Sequence, residues 1–292
     1  MATGTMSVTT AAVHIGEVWP KAVLRAQEFK LQIAPRVYRE WKYAGYGDVY
    51  HIARIPNIEA ETKSSGTDLT MRTYTDTEQT ITVNVHQGAG YEVEDITELL
   101  SNNNLRMEMQ RKIGYALGRA VDVNLATLPQ SFSQVVGTLG SELVYNDLVD
   151  AWELMAKAGI ESQDQCSWFL SAGAIAGLLK QDAFIAQTYQ GQNPRAVQEA
   201  FVGKTLGAPI FQTLLTRAPS AGQSESFFVY KQAMALIMAL QPKMKYESLA
   251  KGLSEVVVGH QVYGYTEVDR YSETPGNITA SDEWAVLLRT AA

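Results

Sequence analysis

The chain has 292 residues, 46% of them hydrophobic, which supports a large core in one big domain or two smaller ones and excludes a wholly disordered protein. Its formal net charge is -7 and it contains no block of basic residues, so tight nonspecific binding to nucleic acid is not expected. The single cysteine, Cys166, excludes an intrachain disulfide and indicates a reducing compartment or a particle assembled inside a cell. No secretion signal is expected at the start, MATGTMSVTT, and the longest uncharged apolar run, Ala233 to Leu240, is too short to span a membrane.

Residues 1–47 are expected to form an N-terminal arm. A Thr- and Ala-rich tail leads into a helical pattern in which Trp19 and Phe29 share an apolar face, and Pro35 ends that pattern before Trp41. Large aromatic side chains in an arm suggest docking on another molecule. Packing of the arm on its own domain explains them equally well, and the sequence leaves both interpretations open.

Two β-rich runs predict strands that pair as a long hairpin: DVYHIARI at 48–55 and TEQTITVNVHQ at 77–87. The second run alternates apolar and polar residues, which is typical of a strand with one apolar face. The polar stretch between the strands places the turn at 64–66, and Gly88 and Gly90 are expected to end the ribbon. An isolated two-stranded ribbon is marginal in water, so we expect this one to lie on another copy of the chain.

The stretch 103–128 predicts a long amphipathic helix, which an Asn at 102 or 103 can cap and the following proline stops. Its one face is formed by Leu105, Met109, Ile113, Leu117, Ala120, Val121, Asn124 and Leu128. Gly114 and Gly118 each cost about 1 kcal/mol of helix propensity relative to alanine. They therefore suggest that a neighbouring backbone packs closely against the helix.

After the helix the elements become shorter and predict a compact α/β domain at 131–242. The expected elements are a helix from Asn146 or Asp147 to Ala158 with Leu148, Trp152 and Met155 on one face, a strand at 167–170, a helix capped by Ser171, and strands at 209–213 and 227–230. In residues 249–262 the spacing of the apolar residues is typical of a helix, whereas the run of valines favours a strand. The sequence leaves both interpretations open. Residues 284–288 predict a terminal strand that returns to the domain of the long helix.

Sequence motifs for catalysis are absent: the chain has no phosphate-binding Gly-rich loop, nucleophile elbow or metalloprotease motif, so no catalytic, cofactor-binding or metal-binding residue is predicted. The histidines are too far apart in sequence to form a local metal pair: His14, His51, His86 and His260. Cys166 is interpreted as a small buried hydrophobe. The acidic residues at 92–98 are interpreted as charges at a helix start rather than as a metal site.

The order of arm, polar-tipped hairpin, long helix, inserted α/β domain and return strands resembles the Hong Kong 97-like fold of the major capsid proteins of tailed bacteriophages. Three stretches resemble that family's extended loop and spine helix: DVYHIARIP, ITVNVHQ leading to YEVEDITELL, and RKIGYALGRAVDVNLATL. Three others resemble its axial domain: LVYNDLVDAWELMAKAGI, SAGAIAGLLKQDAF and FVGKTLGAPIFQT. The resemblance implies an α+β fold with an N-terminal arm at 1–47, an extended loop at 48–91, a peripheral domain with the spine helix at 92–130 and 243–292, and an axial domain at 131–242.

The same resemblance implies a structural protein without enzyme activity or cofactor, which self-assembles through pentamers and hexamers into an icosahedral shell around double-stranded DNA. It implies a virion capsid assembled in the host cytoplasm, no sequence-specific DNA binding and no membrane. A portal and, since no long scaffold-like segment precedes the arm, a separate scaffolding protein are expected partners, and a decoration protein is left open. The alternatives are an encapsulin-type nanocompartment shell protein and a soluble enzyme with a site at 131–242.

Residues on the arm, the loop and the turn near the end of the chain are predicted at inter-subunit contacts: Trp19, Phe29, Trp41, Lys63, Gly66, Arg72 and Asn277. Some members of the resembled family join a lysine of the extended loop to an asparagine of a neighbour's peripheral domain, and Lys63 and Asn277 occupy comparable places. An isopeptide bond needs a lysine that has lost its proton in a water-poor setting. Because the loop around Lys63 is polar and looks solvated, a noncovalent shell is expected.

Overall fold

The computed structural model describes residues 28, 31–39, 45, 47–54, 60–69, 77–95, 105–160, 163–181, 203–250, 252–271 and 280–291. The fold is mixed α+β, as the sequence predicted. Its helices are α1 (Leu105–Leu125), α2 (Tyr145–Lys157) and α3 (Ala172–Leu179), with short 3-10 helices at Ala34–Arg36, Leu128–Ser131, Gln163–Gln165 and Lys231–Ala233. Its strands are β1 (Val49–Arg54), β2 (Thr77–Thr82), β3 (Val85–Glu94), β4 (Val135–Gly137), β5 (Cys166–Leu170), β6 (Lys204–Thr205), β7 (Ala208–Gln212), β8 (Gln223–Tyr230), β9 (Met234–Leu249), β10 (Ser254–Glu267), β11 (Arg270–Tyr271), β12 (Ala280–Ser281) and β13 (Ala285–Ala291).

The predicted hairpin is confirmed, because β1 and β2 pair antiparallel from Val49 opposite Thr82 to Arg54 opposite Thr77. The prediction that Gly88 and Gly90 end this ribbon is wrong, since both lie inside β3. That strand leaves the ribbon and pairs with β10 instead. A Cβ at Gly90 would lie 2.9 Å from Cγ2 of Val258, so the glycine permits a close strand contact rather than a chain reversal.

A three-stranded antiparallel sheet, in the order β3-β10-β9, packs one face against α1. Ile113 and Leu117 of the helix form a buried cluster with Val257 of β10. The helix approaches so closely that a Cβ at Gly259 would lie 2.4 Å from a methyl carbon of Ile113. The sequence left residues 249–262 open between helix and strand, and the structure shows them as the end of β9, a turn and the start of β10.

The long helix predicted at 103–128 is present at Leu105–Leu125, and Ile113, Leu117 and Val121 are buried on the predicted face. Leu125 and Asp122 are also buried but were not predicted on that face. Met109, predicted on that face, is 36% exposed. Among the described residues, no backbone packs closely against the two glycines as predicted. A Cβ at Gly118 would meet a side-chain atom of Leu31 at 2.7 Å, and none of the described atoms lies within 4 Å of a Cβ at Gly114.

The second core surrounds a six-stranded sheet in the order β4-β13-β8-β5-β7-β6. Helices α2 and α3 pack on it through a cluster that includes Leu148, Met155 and Leu178, and Trp168 stacks on Phe228 with ring centroids 3.7 Å apart. Trp152, predicted on the buried face of α2, is 37% exposed. Leu148 and Met155 are buried as predicted.

Polar side chains cap both helices: Ser171 precedes α3 as predicted, whereas α2 begins at Tyr145, before the cap predicted at Asn146 or Asp147. The Ser171 hydroxyl accepts a hydrogen bond from the Ala174 amide at 3.1 Å at the start of α3. At the start of α2 the Asp147 carboxylate accepts one from the Val144 amide at 3.0 Å. Gly159 follows α2 with a φ of +84°, a conformation that glycine adopts without steric cost.

The predicted terminal strand is present as β13. It pairs antiparallel with β8, from Ala285 opposite Val229 onward, and parallel with β4. It thus belongs to the six-stranded sheet, while Ala285 and Leu287 share a hydrophobic cluster with Val121 and Leu125 of the long helix. Trp284, directly before β13, packs against three of the hydrophobic clusters and so joins the cores of the two sheets. The boundary expected between 242 and 243 falls inside β9, one continuous strand.

Candidate assembly surfaces

The root of the N-terminal arm is fixed to α1 by one buried carboxylate. Asp122 is 1% exposed, and its oxygens accept hydrogen bonds from the backbone amides of Gln32 at 2.8 Å, Ile33 at 3.2 Å and Ala34 at 2.8 Å. These amides open the short 3-10 helix Ala34–Arg36, whose first N–H groups have no partner inside the helix. The carboxylate therefore satisfies several donors with one side chain.

Other contacts hold the same segment on the body of its own chain. Tyr38 donates its amide to the Met234 carbonyl at 2.9 Å and accepts from the Leu236 amide at 3.0 Å, which adds a short parallel bridge to β9. The guanidinium of Arg36 lies 3.3 Å from the centroid of the Phe211 ring, a cation–π contact. Of the two interpretations left open for the arm, packing on its own domain applies to residues 31–39.

Upstream, Glu28 contacts the exposed side of α1. Its carboxylate accepts hydrogen bonds from Arg111 at 2.6 Å and from Lys112 at 2.5 Å. These two hydrogen bonds lower the pKa of Glu28, the bond from Arg111 more than the bond from Lys112. The predicted contact residues of the arm, Trp19, Phe29 and Trp41, lie outside the described residues.

The root of the ribbon is also anchored. Ile81 of β2 is fully buried in a cluster with Ala235 and Ile237 of β9 and with Val268. The side-chain amide of Gln79 donates to the Glu267 carbonyl at 2.6 Å. The ribbon thus starts from a fixed base on β9 and β10.

The ribbon tip has the opposite character. Residues 62–69 are exposed, and they include two predicted contact residues, Lys63 and Gly66. The predicted turn is present, because the Thr67 amide donates to the Ser64 carbonyl at 3.3 Å and Gly66 has a φ of +84°. Leu69 is 49% exposed, and no residue at 60–69 belongs to a hydrophobic cluster of the described structure. Two more predicted contact residues, Arg72 and Asn277, lie outside the described residues.

A groove of about 360 Å³ lies between α1 and the edge strand β3. Its lining is mainly apolar: Ala89, Gly90, Tyr91, Glu108, Met109, Lys112, Ile113 and Ala116. Met109 is half-exposed because it borders this groove rather than the packed core. The groove is a second surface where an extended segment could add to the sheet edge.

Burial is the main cause of the raised pKa values of Cys166 and Glu267. Cys166 is fully buried as predicted, and burial raises the pKa of its thiol to about 12, which makes it a poor nucleophile. Burial, and secondarily a hydrogen bond with Asp282, raise the pKa of Glu267 to about 8. The Ser131 hydroxyl donates to the same carboxyl at 2.5 Å.

Within the described residues, no group of three or more His, Cys, Asp and Glu side chains could hold a metal ion. The fold does unite two histidines that are distant in sequence, His86 and His260, whose nearest ring nitrogens are 3.3 Å apart. Among the described helices, none is long and apolar enough to cross a membrane.

Sequence reasoning missed two groups here. It placed Asp122 among the polar positions between the apolar ones of the long helix, and it treated His86 and His260 as isolated. No local signal could have found either, because the partners of Asp122 lie 88 to 90 positions away and the histidines are separated by 174.

These features define an α+β fold with two anchored extensions, the arm root and the exposed ribbon, and a mainly apolar groove at a sheet edge. Comparison with protein-family models gives no match, and comparison with curated protein sequences gives none either.

Solved structures give matches over almost the whole chain. The capsid structure of the cyanophage P-SCSP1u matches with a TM-score of 0.72 and 16% identity, covering 97% of this chain and 94% of that one. The head structure of Helicobacter pylori bacteriophage KHP40 matches with a TM-score of 0.74 and 10% identity, covering 99% of both chains. A structure from Mycobacterium phage Che8 matches with a TM-score of 0.75 and 16% identity, covering 94% of this chain and 96% of that one. The chain has the fold of these bacteriophage capsid and head structures.

Proposed function

We propose that this protein is the major capsid protein of a tailed bacteriophage, with a Hong Kong 97-like fold. In this proposal it assembles through pentamers and hexamers into an icosahedral shell that encloses double-stranded DNA in the virion. The observation that carries the proposal is the likeness to phage capsid and head structures over more than nine-tenths of each chain. Because the structural match extends over the full length, it applies to the whole fold of the chain and not to one shared domain.

The ribbon supports an assembly role. Its root is fixed by Ile81 and Gln79, while its tip around Lys63 and Gly66 is exposed and belongs to no apolar cluster of the described structure. Such a tip gains stability by lying on another surface. If that surface belongs to an identical subunit, each copy offers a tip and receives one, and head-to-tail contacts of this kind close into rings.

The proposal assigns the extended loop to 48–91, the peripheral domain to 92–130 and 243–292, and the axial domain to 131–242. The contact residues proposed for the arm, the loop and the turn near the chain end are Trp19, Phe29, Trp41, Lys63, Gly66, Arg72 and Asn277. Assembly takes place in the host cytoplasm, with a portal and a separate scaffolding protein as partners.

Electron microscopy of the purified protein, alone and with its scaffolding protein, tests the proposal. Closed, empty shells are the expected result. Particles filled with protein cargo would favour a nanocompartment shell, and a protein that stays a small oligomer under both conditions would contradict the assembly role.

Deleting residues 62–68 tests the ribbon separately. The shortened chain should fold, because its root contacts are untouched, but it should assemble poorly. Replacing the same residues with an equally long Gly-Ser segment is the matched control for loop length, and it should also assemble poorly if side chains at the tip make the contact. Normal shells from the deletion would refute the role of the tip.

A further inference from the structure

The groove between α1 and β3 lies at an open edge of the three-stranded sheet. Among the described strands, β3 pairs with β10 on one side only, so alternate backbone N–H and C=O groups on its other side point away from the sheet. Apolar side chains line the groove beside this edge, among them Ala89 of β3 and Ile113 and Ala116 of α1. A segment in the groove can therefore bury apolar surface and bond to the strand edge at the same time.

Two charged side chains of α1 border the groove, Glu108 and Lys112. Both belong to a network that includes the arm. Arg111 donates to Glu108 at 3.4 Å and to Glu28 at 2.6 Å, and Lys112 donates to Glu28 at 2.5 Å. Glu28 is also the first residue of the chain that the structure describes. The described chain therefore begins at the rim of the groove.

The contacts of the arm follow α1 toward this rim. Ile33 bonds to Asp122, and Glu28 bonds to Lys112, which lies nearer the start of the helix. Between these two contacts the helix advances about 15 Å, at about 1.5 Å per residue. From Ile33 to Glu28 the chain therefore advances about 3 Å per residue, close to the rise of an extended strand. Leu31 contacts the helix between these two points.

The residues directly upstream of Glu28 have the length and the chemistry to reach and fill the groove. Along the helix axis, Glu108 lies about 6 Å beyond Lys112, a distance that about two residues of extended chain can cover. The segment 22–27 reads AVLRAQ, in which the alanines, the valine and the leucine match the apolar lining. Its charged residue, Arg25, is complementary to Glu108 at the rim.

We propose that residues 22–27 dock in the groove of their own chain and cover the edge of β3 in the unassembled protein. The attachment of the arm at Asp122 and Lys112 favours the same chain over a second copy, because a tethered segment has a high effective concentration at its site. An open strand edge is a template for pairing with another chain. The docked segment therefore protects single chains from association through this edge.

Limited digestion of the purified, unassembled full-length chain with trypsin tests the docking, with the products identified by mass spectrometry. Trypsin cuts after lysine and arginine, so the proposed segment has a site at Arg25 and the exposed ribbon tip has a reference site at Lys63. In the parent chain, cleavage after Arg25 should be at least about tenfold slower than cleavage after Lys63, because a docked segment must leave the groove before it is cut.

Met109→Glu should release the segment, because the new carboxylate lies in the apolar groove. Cleavage after Arg25 should then become about tenfold faster, while cleavage after Lys63 stays unchanged. Met107→Glu is the matched control. It makes the same substitution two positions away, on a side chain that is 63% exposed and does not line the groove, and it should be cut like the parent.

Glu28→Gln tests the path of the arm without changing the groove. It removes the carboxylate that bonds to Arg111 and Lys112. At low salt this variant should be cut faster after Arg25 than the parent, relative to the Lys63 site. Added salt should speed the same cleavage in the parent, because salt screens exposed ion pairs, and should have little effect in Glu28→Gln.

Three results would overturn the inference. The first is equal cleavage after Arg25 in Met109→Glu and Met107→Glu, and the second is a parent chain that is cut as fast after Arg25 as after Lys63. The third is protection of Arg25 that increases with the concentration of the chain, which would assign the groove to a segment of another copy. Protection that is independent of chain concentration is the result expected for docking within one chain.

Discussion

Replacing Asp122 with alanine should release the arm root from α1. The carboxylate is 1% exposed and accepts three backbone amide hydrogens, from Gln32, Ile33 and Ala34. Alanine offers no acceptor, so the amides must find water or remain unpaired. The segment 31–39 should then detach, and the partners that it covers, such as Gly118 beside Leu31, should become exposed.

The magnitude follows from the environment of the three bonds. A hydrogen bond to a charged group contributes about 1.5–3 kcal/mol, and a donor left unpaired in the interior costs about as much. The Ile33 bond is buried, while the Gln32 and Ala34 bonds are partly buried and water can replace them in part. We therefore expect Asp122→Ala to lower the free energy of unfolding by about 3–5 kcal/mol, below the simple sum. Asp122→Asn keeps one acceptor oxygen and should lose about half as much.

Urea unfolding of the unassembled chain, followed by tryptophan fluorescence, measures this loss. Asp147→Ala is the matched control, because that carboxylate accepts a single exposed amide hydrogen at the start of α2 and should cost only about 1 kcal/mol. Limited proteolysis should cut Asp122→Ala faster within 31–39 than the control. Equal losses for the two alanine variants would refute the argument that the buried carboxylate fixes the arm root.

Four further measurements test other parts of the structure. Leu117→Ala should lower the free energy of unfolding in urea by about 2–5 kcal/mol because the side chain is 2% exposed, while Arg111→Ala should leave it nearly unchanged. Equal losses of stability in the two variants would contradict the assigned buried face of the helix. Cys166 should resist thiol reagents at pH 8 until the chain is unfolded, since the pKa of its thiol is about 12; rapid labelling of the native chain would contradict its burial. The pKa of Glu267 is about 8 in the folded chain, above its ordinary value of 4.5, so the protonated carboxyl stabilises the fold fully below pH 4.5 and this contribution is lost as the pH rises toward 8. In Glu267→Gln the free energy of unfolding should decline less over this pH range. An unchanged decline would contradict the raised pKa of Glu267. Mature particles boiled in detergent should run as a single band near 32.1 kDa, and a ladder that vanishes in Lys63→Ala would show covalent crosslinking instead.

The elements themselves could be predicted where the signal is local. The period of α1, the alternation in β2, the caps Ser171 and Asp147 and the turn at Gly66 depend on residues within a few positions of one another. Such signals do not depend on which other parts of the chain pack against the element. They explain why the α+β class and most element positions follow from the sequence.

Strand pairing could not be predicted in the same way. The terminal strand β13 was expected as extended chain, whereas only the start of β3 was, and the partners of both strands are chosen by packing across the whole fold. Gly88 and Gly90 illustrate the difficulty: a glycine in a β-rich run is compatible with a turn or with a close strand contact. Only the position of Val258 beside Gly90 decides between them.

The candidate surfaces depend even more on long-range contacts. The exposed ribbon tip could be expected from its polarity, since a stretch without apolar residues cannot build its own core. The anchoring of the arm root could not, because an aspartate on a helix face looks the same in sequence whether it meets water or a distant backbone. The pair of His86 and His260 is invisible for a related reason, since the two residues belong to different strands, β3 and β10.

A short stretch of β9, residues 234–237, connects both extensions to the body. The arm bonds to it on one side, through Tyr38 with the backbone of Met234 and Leu236, and the ribbon packs on it through Ile81, which contacts Ala235 and Ile237. All four residues of the stretch are buried, so its position is set by the cores on either side. The roots of the arm and the ribbon are therefore ordered within a single chain. An extension that is already ordered at its root loses less conformational entropy on binding, so in the proposed shell this arrangement would lower the cost of each contact between subunits.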